Sequence, residues 1–507
     1  MNFKPEKNKM GDTWQFSDGD TIHTFFLQWN NDDDRSDPMS GSIGHITSHD
    51  MVHWNKLPPA LIKGHPGSYD ELDLWTGCCV EHMGTKYLYY ASRNSRDPYA
   101  SAISLATSKD GVYFNKHENN PLFTPDPRYY CSLENRTNLA VHGSDGRSIV
   151  DCRDICIVRD DERNCWWGFF AARRHANECT QTSVVGLCRT DDLVHFEQYP
   201  PCFTPDKYHC IDTPDVFFMN GKWYMLFMTG NHFGHRNTTN DPNMTGVITL
   251  YAVADKPEGP YTEIHEDNVL LGSTEMSGIC ARTVLHQGKR YLFYTQSHFN
   301  PALHKSSNTL SYPKEVVCDK DGRLHLMWCN NVETLYDVDV NYPKADNAIL
   351  NDGKWGTVCP IRFGENSVSI HPKYDWAVQM FDIYTENFVL DTTVTVDGAR
   401  SCGIIFDMQG DTIHGANNMA LFDFFNNEVL FSRVRNFPKI NAKKYDFSRS
   451  KTFHLKLLVH GPTVEIYVNN ELVVHHQKFG RVGGRIGFLS EMGKTTFKNS
   501  VVHLIAD

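Results

Sequence analysis

Five runs of aromatic and aliphatic residues constrain this chain more than any other feature: "HTFFLQW" from His23, "KYLYYAS" from Lys86, "CWWGFFAAR" from Cys165, "KWYMLFMT" from Lys222 and "KRYLFYTQ" from Lys289. Each suits a strand buried in a stack of sheets, because bulky aromatic and branched side chains fill a pleated surface well. Most follow a small polar turn, "DGDT" at 18–21, "MNG" at 219–221 or "HQG" at 286–288, which is the residue chemistry of a hairpin. A second element recurs between them: "TSHDMVHWNK" (47–56), "TSKDGVYFNK" (107–116) and "TDDLVHFEQ" (190–198), each with an Asp four residues before Trp54, Phe114 or Phe196. A weaker version starts at Val253. The aromatic runs recur roughly every 60–80 residues, room for about four strands, which is the period of a propeller blade rather than of a solenoid unit. Five copies before residue 300 predict a five-bladed β-propeller. The competing reading is a large sandwich with unrelated aromatic strands, and the recurrence of two elements in the same order argues against it.

After "NTLSYPKEVVCDKDGRLHLMW" (308–328) the texture changes. Apolar and polar residues alternate in "SCGIIFDMQG" (401–410), "FHLKLLVHGPTVEIYVNNELVVHH" (453–476) and "GGRIGFLS" (483–490), with turns at Gly461-Pro462 and Asn469-Asn470. That alternation predicts an antiparallel β-sandwich. Helix-period patterns are nearly absent, so the expected fold class is all-β: a propeller over 1–325, a linker with the first sandwich strands over 326–370, and a sandwich over 371–507.

Composition narrows the function. The formal charge of -12 is spread along the chain without a basic block that could follow a phosphate backbone, which excludes nucleic acid as a partner. Apolar residues at 40% and aromatics at 12% exclude a disordered chain. The N-terminal "MNFKPEKNKMGDTWQF" lacks the apolar core of a signal peptide, and no segment reaches a membrane span. The expectation is a cytoplasmic protein with no membrane partner; a secreted protein whose leader was removed is the alternative. The 15 cysteines match neither a zinc ribbon nor a paired CxxC site and read as reduced thiols in the core. The sequons at Asn135, Asn237 and Asn243 are of the kind that arise by chance in a long chain.

Three acidic residues stand at the start of apolar strands in different repeats: Asp12 in "MGDTWQF", Asp154 in "DCRDICIV" and Asp212 in "CIDTPDVFF". A lone Asp there usually caps a turn. Three in corresponding positions, in a fold that gathers its first strands around a central funnel, point to cleavage of a glycosidic bond. In that chemistry one carboxylate attacks or activates water, one carboxylic acid protonates the leaving oxygen, and a third orients sugar hydroxyls. Crowding anionic groups drives their pKa values apart, so one stays protonated near neutrality. Arg153 is expected to keep Asp154 ionised, which makes Asp154 the poorest acid. Asp215 reads as a local structural carboxylate, and Pro214 restricts the backbone leading into the strand. Trp14, Trp29, Trp54, Trp75 and Trp223 are near enough to offer platforms for sugar faces. Among them, Trp14 and Trp75 read as lying in loops that lead into strands, which favours them over core residues. His45 and His53 belong to no ligand cluster, and this chemistry requires neither a metal nor a cofactor.

Taken together, "GDTW", "IHTFFLQWN", "SGSIGHITSHDMVHWNKLPPAL", "LWTGCCV", Arg153-Asp154, "IDTPDVFF" and "LSYPKEVVCDKDGRLHL" resemble the glycoside hydrolase 32 family, the invertases, inulinases and levanases, over nearly the whole chain. Families 43 and 68 are its wider relatives. The resemblance implies that Asp12 is the nucleophile, although only "GDTW" remains of the family's Asn-Asp-Pro-Asn-Gly motif. It places "LWTGCCV" at the substrate pocket and makes Asp154 the stabiliser of the transition state, with Ile155 where the family's Arg-Asp-Pro has proline. The literal "RDP" at 96–98 sits in a polar loop and reads as a decoy. Asp212 falls where the family's Glu-Cys-Pro-Asp carries its acid/base glutamate, one methylene, roughly 1.5 Å, shorter. Glu275, in "GSTEMSGICARTVLH", is a reserve acid that the resemblance makes a substrate contact. The implied activity is retaining hydrolysis of terminal β-fructofuranosides in sucrose or short fructans, on a carbohydrate substrate. The C-terminal domain of the family gives packed support and in some members an oligomer contact. The rivals are an arabinofuranosidase or transferase of the same superfamily, and a non-catalytic carbohydrate-binding propeller.

Overall fold

The computed structural model describes residues 3–5, 8–30, 37, 39–136, 149–174, 183–208, 210–230, 247–265, 268–272, 278–300, 305–342, 348–350, 361–373, 375–409, 418–433, 438–478 and 483–505. Among these the protein is all-β but for turns and one 3-10 segment at Asn330–Leu335. The first sheet runs β1 (Asn8–Asp18), β2 (Thr21–Asn30), β3 (Ser42–Ser48) and β4 (Asn55–Lys56), in that order. The second repeats it with β5 (Asp73–His82), β6 (Thr85–Arg93), β7 (Ala102–Ser108) and β8 (Asn115–Lys116). The third comprises β9 (Cys152–Asp160), β10 (Cys165–Arg173), β11 (Ser183–Thr190) and β12 (Glu197–Phe203). The fourth comprises β13 (Asp212–Met219), β14 (Lys222–Gly230), β15 (Val247–Ala254) and β16 (Val269–Gly272). In the fifth, β17 (Ile279–His286) pairs with a long β18 (Lys289–Asn300), which holds β19 (Lys305–Leu310) at one end and β20 (Lys314–Cys318) at the other, and β21 (Leu324–Trp328) closes the series.

Each aromatic run of the sequence is the second strand of a sheet. That position explains its composition, since both faces of β2, β6, β10, β14 and β18 pack on neighbouring sheets. Phe25, Tyr89, Tyr90, Phe169, Phe170, Phe227 and Tyr294 are all buried there. At about 1.5–3 kcal/mol per large apolar side chain, these layers are the main source of cohesion between sheets. The second recurring element is a turn at the end of the third strand. Ser48, Ser108 and Thr190 donate their hydroxyls to Asp50, Asp110 and Asp192 and accept the backbone N–H of Met51, Gly111 and Leu193, all with positive φ. Each aspartate then accepts two backbone N–H groups further on. The His53 side chain together with these N–H groups outweighs burial and holds Asp50 down at about 2, and the N–H groups themselves hold Asp110 there. The repeat is thus one hydrogen-bonded turn used three times.

The first strands lie together. β5 packs against β1 and β9, β13 against β9 and β17, and β17 against β1, so their neighbours follow one another in cyclic order. The first and fifth sheets meet through Thr295, whose hydroxyl donates to Gly11 O (2.7 Å), and through the packing of Met10, Phe26, Val284 and Phe293. Every one of these first strands carries one extra residue relative to its partner, between Met10 and Thr13, Trp75 and Gly77, Arg153 and Cys156, Asp212 and Asp215, and Ile279 and Arg282. Such a bulge turns a side chain out of the alternation of the strand. Sequence reasoning places the three acidic residues at the beginnings of apolar strands, and Asp212 does open β13, whereas Asp12 and Asp154 lie inside β1 and β9 and the bulges re-aim them. Trp14 and Trp75, expected in loops leading into strands, lie within β1 and β5.

The remaining strands form two facing sheets. One continues from the fifth sheet, since Met327 in β21 pairs with Glu471 and Trp328 N–H donates to Asn470 O (2.7 Å). The other is built on Trp376–Thr385, Ser401–Met408 and Gly484–Glu491. Phe381, Phe388, Phe406, Phe422, Phe488 and Phe497 fill the space between. At the join, Lys314 and Glu465, both fully buried, form an ion pair of 2.5 Å. Tyr294 (2.9 Å) and Tyr467 (2.5 Å) also donate to this glutamate. Burial by itself would raise Glu465, but Lys314, His475 and Tyr467 outweigh it and hold the carboxyl below its ordinary value. Glu465→Ala leaves an uncompensated ammonium in the core and is expected to cost about 3–5 kcal/mol, read by calorimetry as a lower unfolding temperature. A full-length variant that melts with the parent would show that Lys314 finds water.

Candidate active site

Four of the five bulges converge on one buried cluster of charge. In β1 the bulge presents Asp12. Thr76, the extra residue of the β5 bulge, donates its hydroxyl to Asp12 Oδ2 at 2.6 Å. Gly11 is required beside it, because a Cβ there would lie 2.3 Å from Trp29 Cζ3. Asp154, in the β9 bulge, has φ of 59°, and Thr213, in the β13 bulge, has φ of 50°. Non-glycine residues adopt this left-handed conformation only at a cost, so the surroundings must enforce it. Part of that enforcement is the Thr213 N–H, which donates to Asp154 Oδ2 at 3.2 Å.

Arg153 sits among the carboxylates. Its Nε donates to Asp151 Oδ1 (3.0 Å), its Nη1 to Asp154 Oδ2 (2.5 Å), and its Nη2 to Asp212 Oδ1. The Cys210 thiol donates to the same Asp212 oxygen at 3.0 Å. Asp151 also pairs with Arg173 at 2.7 Å, and the two arginines outweigh its burial and lower it. Asp154 behaves differently from the expectation that Arg153 keeps it ionised. Burial, reinforced by the charges of Asp212 and Asp12, pushes it up to about 7, against the pull of Arg153 and Arg282. The physical reason is that one guanidinium is divided over three carboxylates. Asp12 is raised as well, first by burial and then by Asp212, with Thr76 and Arg153 opposing. Burial and mutual repulsion thus raise both Asp12 and Asp154, which favours retention of a proton among them, as acid/base chemistry requires.

Asp215 stands apart as a structural group. Its Oδ2 accepts the Thr283 N–H (2.9 Å) and hydroxyl (2.7 Å), tying β13 to β17. Of the aromatic candidates, Trp75 is half-buried with the Arg93 guanidinium 4.1 Å and the Arg153 guanidinium 5.8 Å from its ring centre. Trp14 is a correction: at 1% exposed and stacked on Phe25, it belongs to the core and presents no platform. His45 is likewise buried against Phe25, and His53 faces Asp50 on the outer turn. Glu275 lies outside the described residues. Sequence reasoning placed the segment of Thr76, "LWTGCCV", at the pocket without singling out the threonine, and it missed Cys210 and Arg282. Arg282 left a signal of its own, a lone cation inside the apolar run "ICARTVL" that must find partners when buried. Among the described residues no group of His, Cys, Asp and Glu is placed to hold a metal.

Three carboxylates on bulged strands of different sheets, two of them bridged by one arginine, are accompanied by a direct match in sequence. The profile described as Glycosyl hydrolases family 32 N-terminal domain matches residues 2–278, more than half of the chain. The chain belongs to glycosyl hydrolase family 32. Among curated relatives, the sucrose-6-phosphate hydrolase of Zymomonas mobilis subsp. mobilis is 38% identical over 136 residues, 24% of this chain and 26% of that protein. The sucrose-6-phosphate hydrolase of Escherichia coli is 25% identical over 236 residues, 44% and 42% of the two chains. The chain thus spans well under half the length of these family 32 relatives in the matched segments. The similarity in fold is far wider. Fructan 1-exohydrolase IIa from Cichorium intybus superposes with a TM-score of 0.71 at 14% identity, covering 100% of this chain and 97% of that one. The GH32 beta-fructofuranosidase of Bombyx mori gives 0.69 at 17% identity, with coverage of 99% and 93%. The all-β arrangement is therefore that of solved family 32 structures.

Proposed function

We propose that the chain is a retaining glycoside hydrolase that removes terminal β-fructofuranosyl groups from sucrose or short fructans. The observation that carries this reading is the cluster itself: Asp12, Asp154 and Asp212, each re-aimed by a bulge and joined by Arg153 or by mutual charge effects. In the same reading the five N-terminal sheets are the blades of a closed propeller over 1–325, 326–370 links it to the sandwich, and 371–507 is that sandwich. The chain acts in the cytoplasm on a small carbohydrate; the described cysteines are mostly buried, which fits reduced thiols packed in a core.

Asp12 attacks the anomeric carbon and forms a covalent fructosyl-enzyme. Asp212 protonates the leaving oxygen and then takes a proton from the water that releases the sugar. Asp154 binds ring hydroxyls. The Thr76 hydroxyl orients Asp12, and Trp29 and Trp75 shape the pocket wall. The names of the relatives, which are sucrose-6-phosphate and fructan hydrolases, support a fructosyl substrate.

The deciding experiment offers sucrose, sucrose-6-phosphate, inulin, levan and arabinan under one set of conditions and separates the monosaccharides released. Fructose is expected, appearing first as the β-anomer by NMR. Arabinose without fructose would transfer the reading to an arabinofuranosidase, and retained binding without release would leave a binding module. The pH dependence follows from Asp12. Its raised pKa means that protonation disables the nucleophile while the solution is still above the ordinary carboxylate range. The acid limb of kcat/KM is therefore expected to lie above the ordinary aspartate value of about 3.9, and a limb at or below it would contradict a buried Asp12 nucleophile.

A further inference from the structure

Arg282 is 2% exposed and directs its guanidinium at main chain rather than at a carboxylate. Its Nη1 donates to Pro214 O at 2.5 Å and its Nη2 to Asp154 O at 2.9 Å, while the closest approach to Asp215 Oδ1 is 4.0 Å. These carbonyls belong to the bulges of β13 and β9, next to the two residues held at positive φ, Asp154 and Thr213. A bulge interrupts the ladder locally, and a buried carbonyl left there without a donor costs free energy. A planar fork fixes two acceptors relative to each other, which a single ammonium cannot do. Arg282 is in turn set by its own strand: the β17 bulge, with Cys280 at φ of 52°, precedes it, and Thr283 next to it is bonded to Asp215.

We propose that Arg282 is a positioning residue that clamps the β9 and β13 bulges together and so sets the spacing of Asp154 and Asp212 across the reacting bond. The inference rests on the proposed fructosidase reading for its kinetic consequence, but its geometric content stands independently. Arg282 touches neither side chain. It acts through the peptide groups that carry them, and the Thr213 N–H bond to Asp154 completes the same clamp from the other side.

The test compares the full-length parent with Arg282→Lys and Arg282→Met by crystallography and by steady-state kinetics on sucrose. Arg282→Lys keeps the buried charge and can serve one carbonyl but not both in the parent geometry. The expected result is a folded chain in which the Asp154 or the Asp212 carboxyl has moved by about 1 Å and kcat has fallen about a hundredfold, with KM nearly unchanged. Arg282→Met is expected to lose at least as much. Carboxyls in their parental places with kcat within about twofold of the parent in folded Arg282→Lys would overturn the clamp, and so would a loss carried by KM alone. If Arg282→Met does not fold, Arg282→Lys decides. If the parent cleaves no fructoside, the functional reading falls while the crystallographic comparison still decides the clamp.

Discussion

Asp12→Asn is expected to abolish fructoside hydrolysis, with kcat down by roughly four orders of magnitude or more, while leaving the chain folded and at least as stable as the parent. The amide has the shape of the carboxyl, so Thr76 still finds an oxygen to donate to, but it cannot form the glycosyl intermediate. The stability half of the prediction follows from linkage. The folded pKa of Asp12 is raised, so the native state binds the proton more tightly than the unfolded chain does, and stability falls as pH rises from the ordinary aspartate value through the raised one. Above the raised value the parent therefore carries the cost of a buried carboxylate beside Asp212, which a neutral Asn removes. Asp12 also raises Asp154, so the neighbouring carboxyl is expected to titrate lower in the variant. Chromatography of released fructose and calorimetry at neutral pH read the two halves. Residual activity within tenfold of the parent would place the nucleophile elsewhere, and a large loss of stability would mean that Asp12 is there for structure.

The division between what the sequence reveals and what it hides follows from burial and register. The aromatic runs were legible because strands covered on both faces need bulky side chains throughout, and they proved to be the second strands. The Ser/Thr-x-Asp elements were legible because their hydrogen bonds are local, within a few residues of each other. Asp12, Asp154 and Asp212 could be picked out as charges that precede apolar runs. The bulges could not: one extra residue in a strand leaves no compositional trace, and Asp154, Thr213 and Cys280 are not the glycine or asparagine that usually mark a positive φ. Without the bulges the orientation of the acids stays undetermined, as does the division of Arg153 among three partners. Trp14 failed for a related reason. A strand that enters the site and a strand that enters the core read alike, and the Trp14 ring lies on the core side.

Asp212 carries the second large effect, because it is one methylene shorter than the acid/base glutamate of the family motif. In this chain the short side chain is fitted rather than truncated. Asp212 opens β13 at a bulge, it is buried, and its Oδ1 already receives both the Arg153 guanidinium and the Cys210 thiol. Asp212→Glu would carry the carboxyl roughly 1.5 Å beyond both donors. The expected outcome is a ten- to hundredfold lower kcat, not a gain. Asp212→Asn, which keeps the length and removes the proton, is expected to lower kcat on sucrose by about 10²–10⁴. Its kcat/KM should fall far less on fructosyl fluoride, whose leaving group departs without protonation, while kcat stays limited by the base step that releases the sugar. The fluoride also separates the roles of the two neighbours, since the raised pKa of Asp154 makes it the other group able to hold a proton. If Asp154→Asn, and not Asp212→Asn, recovers on the fluoride, the proton donor is Asp154 and Asp212 serves the sugar hydroxyls. If Asp212→Glu matches or exceeds the parent on sucrose, the bulge does not compensate for the missing methylene, and the parent works with an acid held too far from its substrate.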